Sequence, residues 1–367
     1  MLPDKDYTIC RESRVSGDAA ELAPAAAIAT DPEIRPTPLA ALAFDNLPTE
    51  LHFVRSHFGV PVCDSANWTL EVGGAVERGR PYSLEQLQER SVRTQAVVLE
   101  CAGHRRNEFR PSTVGLQWGI GAVSQAHWTG VALSELLREV SPTDRGCEVV
   151  FEAADRGPHR SLGSEVAFAR SIPLERALAG DVLLAWEMNG QPIPAKHGAP
   201  LRVIVPGSYG VASVKWVRRI TVLDHPFTGP FQADDYQLNG KPLQDLRVNS
   251  LIVEPTDGAV LQAGTTELSG VAWGGRGGIA AVEVRLSGGP WHQAILSRSH
   301  QPAGLNRWSA ALQLPPGTYR IEARARDGSS ASQPEQAEWN PLGYANNSIH
   351  GIRIRSVRAS LESPHRR

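Results

Sequence analysis

The chain has 367 residues, 41% hydrophobic and 21% charged, with a formal net charge of -2. That length supports two domains with cores of their own. The near-neutral charge gives no global basis for binding nucleic acid or an anionic membrane, and no apolar run reaches the length of a membrane-spanning helix.

Residues 1–14 mix Asp4, Lys5, Asp6 and Arg11 without an apolar core or twin arginine, so no secretory signal and a cytoplasmic protein are predicted. Ala23-Pro24-Ala25-Ala26-Ala27 and Pro36-Thr37-Pro38 predict an irregular N-terminal arm over 1–44. Trp68-Thr69-Leu70-Glu71-Val72 alternates like a strand and stops at Gly73-Gly74, and Ser83 caps a helix running through Leu87. Val97-Val98-Leu99 reads as a short buried strand, and Val131 to Leu137 has helical spacing. Val182 to Trp186 and Leu201 to Val205 read as buried strands. Short strands and helices without regular alternation predict an α+β domain over 45–247.

From residue 248 the texture changes. Ala281 to Leu286 and Tyr319 to Arg326 alternate apolar and charged residues, bounded by Ser287-Gly288-Gly289, Pro315-Pro316-Gly317 and Asp327-Gly328. Period-two strands between turn signals predict an all-β, immunoglobulin-like sandwich over 248–367. Its arginines interleave with glutamates and read as solvated strand faces.

The four cysteines, Cys10, Cys63, Cys101 and Cys147, are widely spaced, which argues against a zinc site and a disulfide framework. Cys101 stands apart. It falls where a strand gives way to a loop, with Gly103 freeing the backbone and Arg105 and Arg106 beside it. Nearby cations favour the thiolate, the form that ligates metals. A soft sulfur beside fixed guanidinium groups suits a metal acting on an oxyanion. The competing reading is a half-buried structural cysteine with two solvated arginines.

The run Glu100-Cys101-Ala102-Gly103-His104-Arg105-Arg106 resembles the Glu-Cys-Ala-Gly-Asn-Arg-Arg stretch of the sulfite oxidase family of molybdenum enzymes, with His104 in place of Asn. The resemblance continues in order through Phe53-Val54-Arg55-Ser56-His57, Gly115-Leu116-Gln117-Trp118, Glu187-Met188-Asn189-Gly190-Gln191-Pro192, His197-Gly198-Ala199-Pro200-Leu201-Arg202, Val205-Pro206-Gly207, Val214-Lys215-Trp216, Asp234-Asp235-Tyr236 and Trp339 to Asn347. It spans about residues 45 to 355.

This resemblance implies a molybdopterin-binding catalytic domain followed by a dimerisation domain, and hence a homodimer. It implies molybdenum on Cys101 and oxidation of sulfite to sulfate. Molybdopterin contacts fall on Phe53, Val54, Arg55, Ser56, His57, Asp155, His197, Arg202, Ser213, Val214 and Lys215. Arg55 and Arg106 match anion-binding arginines, Tyr236 the active-site tyrosine, and Trp118 a tryptophan lining the substrate funnel, with a plain core tryptophan as its alternative. The family's further arginine, in a glycine-rich turn of the second domain, aligns only with a shift, to Arg276.

No haem, flavin or nicotinamide domain is evident, so electrons are expected to pass to a separate acceptor, a c-type cytochrome, oxygen or another carrier. Two alternatives compete: a related enzyme acting on another oxyanion such as nitrate, and a metal-free binding protein on the same fold.

Overall fold

A computed structural model describes residues 22–30, 32–297 and 303–358. The described residues divide into two compact units, one within 22–246 with 338–346, the other within 247–337 and 347–358. Cys10 and residues 1–21 of the expected arm lie outside the described residues.

Two five-stranded sheets dominate the first unit, beside two two-stranded ones. In one, Val92–Glu100 pairs along its whole length with Val123–Ala132, which pairs in turn with Leu183–Met188; Gln191–Pro192 and Arg202–Ile204 also pair with that last strand. The last five residues of Val92–Glu100 are buried, which ends the strand in the core at the threshold of Cys101. The other sheet runs Arg80–Ser83, Thr69–Gly74, Val217–Leu223, Glu148–Pro158, Glu165–Pro173, with one parallel pair between Thr69–Gly74 and Val217–Leu223. Helices are few and short. Leu84–Gln88 starts with a capping box between Ser83 and Gln86. Leu133–Val140 buries positions 133, 136, 137 and 140, one apolar stripe at helical spacing. Val131 and Ala132, expected in that helix, instead close the preceding strand.

The described part of the arm is built into this unit. Arg35 and Val54 exchange backbone hydrogen bonds at 3.1 and 2.8 Å, and the Thr37 N–H donates to Gly121 O at 2.8 Å.

Gly130 explains how the first sheet closes. A Cβ there would lie 2.1 Å from Leu184 O, so the neighbouring strand comes in where only hydrogen fits. Gly130→Ala should therefore cost roughly 1–3 kcal/mol by overpacking, read as a lowered thermal midpoint. A midpoint equal to wild type would mean that the strands can part there without loss.

The second unit is a sandwich. Four strands, in the order Asn249–Glu254, Gly264–Trp273, Asn306–Leu314, Ile295–Ser297, face five, in the order Val260–Gln262, His350–Val357, Gly317–Asp327, Ile279–Leu286, His292–Gln293. Val282 and Val284 fill its core with Trp308, Ile321 and Ile354, while Leu286 packs at the margin. The outward charges pair as alternation suggests: Arg324 with Glu283 at 2.9 Å, and Arg285 with Glu322 at 2.7 Å.

Candidate active site

Cys101 follows directly on the strand Val92–Glu100. Its N–H donates to Ala122 O at 2.8 Å, and its carbonyl accepts from His104 N–H at 2.9 Å, which curls the loop back at once. His104 and Glu100 form a buried pair at 2.9 Å.

The two arginines of this loop go separate ways. Arg105, expected beside the thiol, is instead held by Glu108 through two bonds of 2.9 and 2.7 Å. Burial beside a carboxylate in reach explains the difference, since an unpaired charge would be costly there. Arg106 sits among three glycines. Its guanidinium lies 2.8 Å from where a Gly103 Cβ would be and 2.9 Å from one at Gly115, and its Cγ lies 2.7 Å from one at Gly343. It donates to Leu116 O at 2.8 Å and Gly343 O at 3.3 Å. Arg106 thus builds the loop, and its charge acts on the cavity from behind it.

Burial pushes the Cys101 thiol up, against the pull of Arg55, the Gly103 N–H and Arg106. The expectation of a thiolate favoured by cations is corrected here, because desolvation outweighs them. A bound metal cation reverses the balance, since a coordinating thiol is deprotonated outright.

Trp118, expected to line a funnel, is 1% exposed and packs with Ile34 and Ala122, with Cys101 and Leu116 against the same cluster. It supports the loop from within the core.

A cavity of about 80 Å³, open to solvent on one side, lies beside Cys101 and is lined by residues of the first unit. Among them are Phe53, Val54, Arg55, Ser56, His57, Cys101, Asp155, His197, Arg202, Ser213, Val214, Lys215 and Tyr236, so residues far apart in sequence do converge. Arg276 is on an exposed turn of the second unit, between Gly264–Trp273 and Ile279–Leu286.

One part of the cavity gathers basic side chains. Arg202 donates to His197 O at 2.9 Å and lies over the Trp128 ring at 5.0 Å; burial lowers it to about 9. Lys215 donates to Ser56 Oγ at 2.6 Å and to Lys196 O at 3.0 Å. Burial holds it well below the ordinary lysine range, and Arg202 adds to the effect. Asp155 is pushed up to about 6 by burial, with Lys215 opposing.

Three buried polar atoms here have no hydrogen-bond partner among the described residues: His52 Nε2, His197 Nε2 and Asp155 Oδ1. Buried groups in folded proteins are almost always satisfied, so such a set fits a ligand with several ring donors and acceptors. The lysine and arginine beside them fit its phosphate. Molybdopterin has both parts. His52 was not apparent from the sequence, though it directly precedes the Phe53 motif.

His52 and His197 are 1% and 2% exposed, and burial holds both neutral, His52 at about 3. The folded chain therefore binds fewer protons than the unfolded one between pH 6.5 and about 3, so stability present above pH 6.5 is lost as pH falls through that window. Each histidine contributes up to about 1.4 kcal/mol per pH unit. In cofactor-free protein, His52→Gln should flatten the decline of unfolding free energy between pH 6.5 and 5 by about one proton's worth. An unchanged slope would mean His52 is charged in the folded state.

At the other end, Arg55 donates to Ser56 O and reaches His57 Nδ1 at 3.4 Å, and His57 Nε2 lies 2.6 Å from Tyr236 Oη. Burial, then the Arg55 charge, holds His57 well below the ordinary histidine range. A neutral ring that accepts from Arg55 at Nδ1 carries its hydrogen on Nε2 and donates it to Tyr236. The Tyr236 hydroxyl is then left to donate into the cavity, and burial keeps that phenol protonated.

Tyr236 follows a single π-helical turn, Phe231–Asp235. Arg170 pins that turn through Phe231 O and donates to Leu243 O at 2.9 Å, while His159 and Arg160 hold Asp235 at 3.1 and 2.6 Å. Wide turns of this kind recur at functional sites. Arg170 lies outside every motif, so nothing local announced it.

Residues 57–231 match the family model for an oxidoreductase molybdopterin binding domain, and residues 240–357 that for a Mo-co oxidoreductase dimerisation domain. The fold and cavity together define a molybdopterin-binding oxidoreductase domain. Sulfite oxidase of Gallus gallus is 34% identical, the match covering 83% of this chain and 72% of that one. Mitochondrial sulfite oxidase of Drosophila melanogaster is 34% identical over 84% of this chain and 59% of its own length. Nitrate reductase [NADH] 2 of Phaseolus vulgaris is 32% identical over 82% and 38%. Sulfane dehydrogenase SoxCD from Paracoccus pantotrophus superposes with a TM-score of 0.77 at 27% identity, covering 88% of this chain and 84% of that one. The chain belongs to the sulfite oxidase family. It spans 59% and 61% of the length of the fly and mouse relatives it matches.

Proposed function

We propose that the protein oxidises sulfite to sulfate by molybdenum-dependent oxygen-atom transfer and passes the electrons to a separate acceptor. The observation that carries this reading is the convergence of Arg55, His57 and Tyr236 on the cavity that Cys101 also lines. When bound, a molybdenum–pterin group supplies the oxygen-atom transfer and the two-electron redox chemistry. Cys101 would hold the metal, Arg202 and Lys215 the pterin phosphate, and Asp155, His52 and His197 the pterin ring edge.

The remaining residues deal with the substrate. Sulfite is a small, strongly hydrated anion, and entering a largely buried cavity costs it part of that hydration. Arg55 offsets the loss as a fixed, permanently charged donor, with Arg106 adding charge from behind the loop. The Tyr236 hydroxyl donates to an oxygen of the anion, its orientation set by His57.

The test is a metal analysis of the purified protein followed by steady-state assays with sulfite, using cytochrome c and oxygen as acceptors. About one molybdenum per chain with sulfite turnover supports the reading; a metal-bearing protein inert to sulfite overturns the substrate. Nitrate is the second substrate to test. The cavity's one substrate-side arginine, Arg55, suits a monoanion as well, and the likeness to nitrate reductase points the same way.

A homodimer is part of the proposal, supported by the match of residues 240–357 to a dimerisation domain. Light scattering should give about twice the 39.7 kDa chain mass. A clean monomer at micromolar concentration would remove it.

A further inference from the structure

We propose that Tyr344 is a positioning residue of this site: its ring holds Tyr236 in place, and the segment carrying it ties Tyr236 to the loop that bears Cys101. The inference rests on the reading above, because it gives Tyr236 a part in turnover.

The two tyrosine rings lie parallel, with centroids 5.2 Å apart and planes 10° from each other. A guanidinium closes each end of the stack: Arg106 at 5.0 Å from the Tyr344 ring and Arg170 at 5.8 Å from the Tyr236 ring. Offset parallel rings are a favoured aromatic arrangement, and cations are drawn to the outer ring faces. His57 fixes the Tyr236 hydroxyl at 2.6 Å. The Tyr236 ring is thus bordered by both Tyr344 and Arg170.

Tyr344 is itself held on a short strap, residues 340–346. Asn340 clamps it from both sides, accepting from Tyr344 N–H at 3.0 Å and donating to Tyr344 O at 2.9 Å. Three bonds join the strap to the residues just after Cys101. Ala345 N–H donates to Ala102 O at 2.8 Å, Asn346 Nδ2 to Arg105 O at 2.9 Å, and Arg106 Nε to Gly343 O at 3.3 Å. A shift of the cysteine loop therefore carries the strap with it, and the strap carries Tyr236. Gly343 is needed for this fit, since a Cβ there would lie 2.2 Å from Thr113 Oγ1.

Removing the ring should let Tyr236 swing and its hydroxyl drift from the anion. Tyr344→Leu should lower kcat/KM for sulfite about threefold to tenfold, the range a stacked pair contributes, while Tyr344→Phe keeps the wild-type rate. In a Tyr236→Phe background, where no hydroxyl remains to misplace, the same Leu substitution should cost less than about twofold. A second readout is independent of turnover. In protein labelled with 3-fluorotyrosine, the fluorine resonance lost in Tyr236→Phe belongs to Tyr236. It should move in Tyr344→Leu and stay in Tyr344→Phe.

An unmoved Tyr236 resonance, or equal losses in both backgrounds, would overturn the inference and leave Tyr344 as packing for the strap. Sulfite turnover that survives Cys101→Ser would instead overturn the molybdenum reading, and the fluorine result would still stand or fall on its own.

Discussion

Cys101→Ser should lose more than about a hundredfold in sulfite turnover while still binding the pterin. Altering groups that merely support a metal ligand typically costs about 10–100-fold, and removing the ligand should exceed that. Serine presents a hard hydroxyl where the metal calls for soft sulfur. The pterin end of the cavity, with Arg202, Lys215 and Asp155, is left intact, so pterin released on denaturation should match wild type. Full sulfite turnover by the variant would end the assignment of Cys101 as the metal ligand.

The second large effect separates the two arginines. Arg55→Gln should lower kcat/KM for sulfite by roughly 10²–10³-fold with little change in thermal midpoint. Arg55 is half-buried and, among the described residues, its bonds go to its neighbours Ser56 and His57, so the fold does not lean on it. Arg106→Gln should lose activity and stability together. Its guanidinium fills the space among Gly103, Gly115 and Gly343 and satisfies two carbonyls. Near-normal kcat/KM in Arg55→Gln would place the anion elsewhere. An unchanged midpoint in Arg106→Gln would show that the loop holds without it.

Local signals in the sequence were enough for most elements. The strand at Tyr319 to Arg326 and the cap at Ser83 rest on alternation and on one side chain three residues from its partner, and both are in place. The cysteine loop was legible because glycine, cysteine and arginines occur within one short run. What could not be read depends on burial and on partners distant in the chain. The cations near Cys101 were visible, but the desolvation that outweighs them was not. Arg105 looked like a second charge for the thiol until Glu108 took it. Arg170 and His52 reach the site through tertiary packing from outside every motif, and Tyr344, though inside one, shows its partner Tyr236 only in the fold. Residues 338–346, which follow most of the sandwich in the chain, belong to the first unit.

That placement bears on how the protein is made. On the ribosome, residues 18–246 emerge first, with Cys101, Arg55 and the pterin cradle already among them. Residues 338–346 follow only after most of the sandwich has been synthesised. Until then the nascent catalytic unit lacks Tyr344 against Tyr236 and Gly343 against Arg106. The half-built unit therefore lacks part of its support around the cysteine loop until residues 338–346 have been made. Tyr236 and the cysteine loop thus owe part of their support to a stretch made about ninety residues after the rest of their unit.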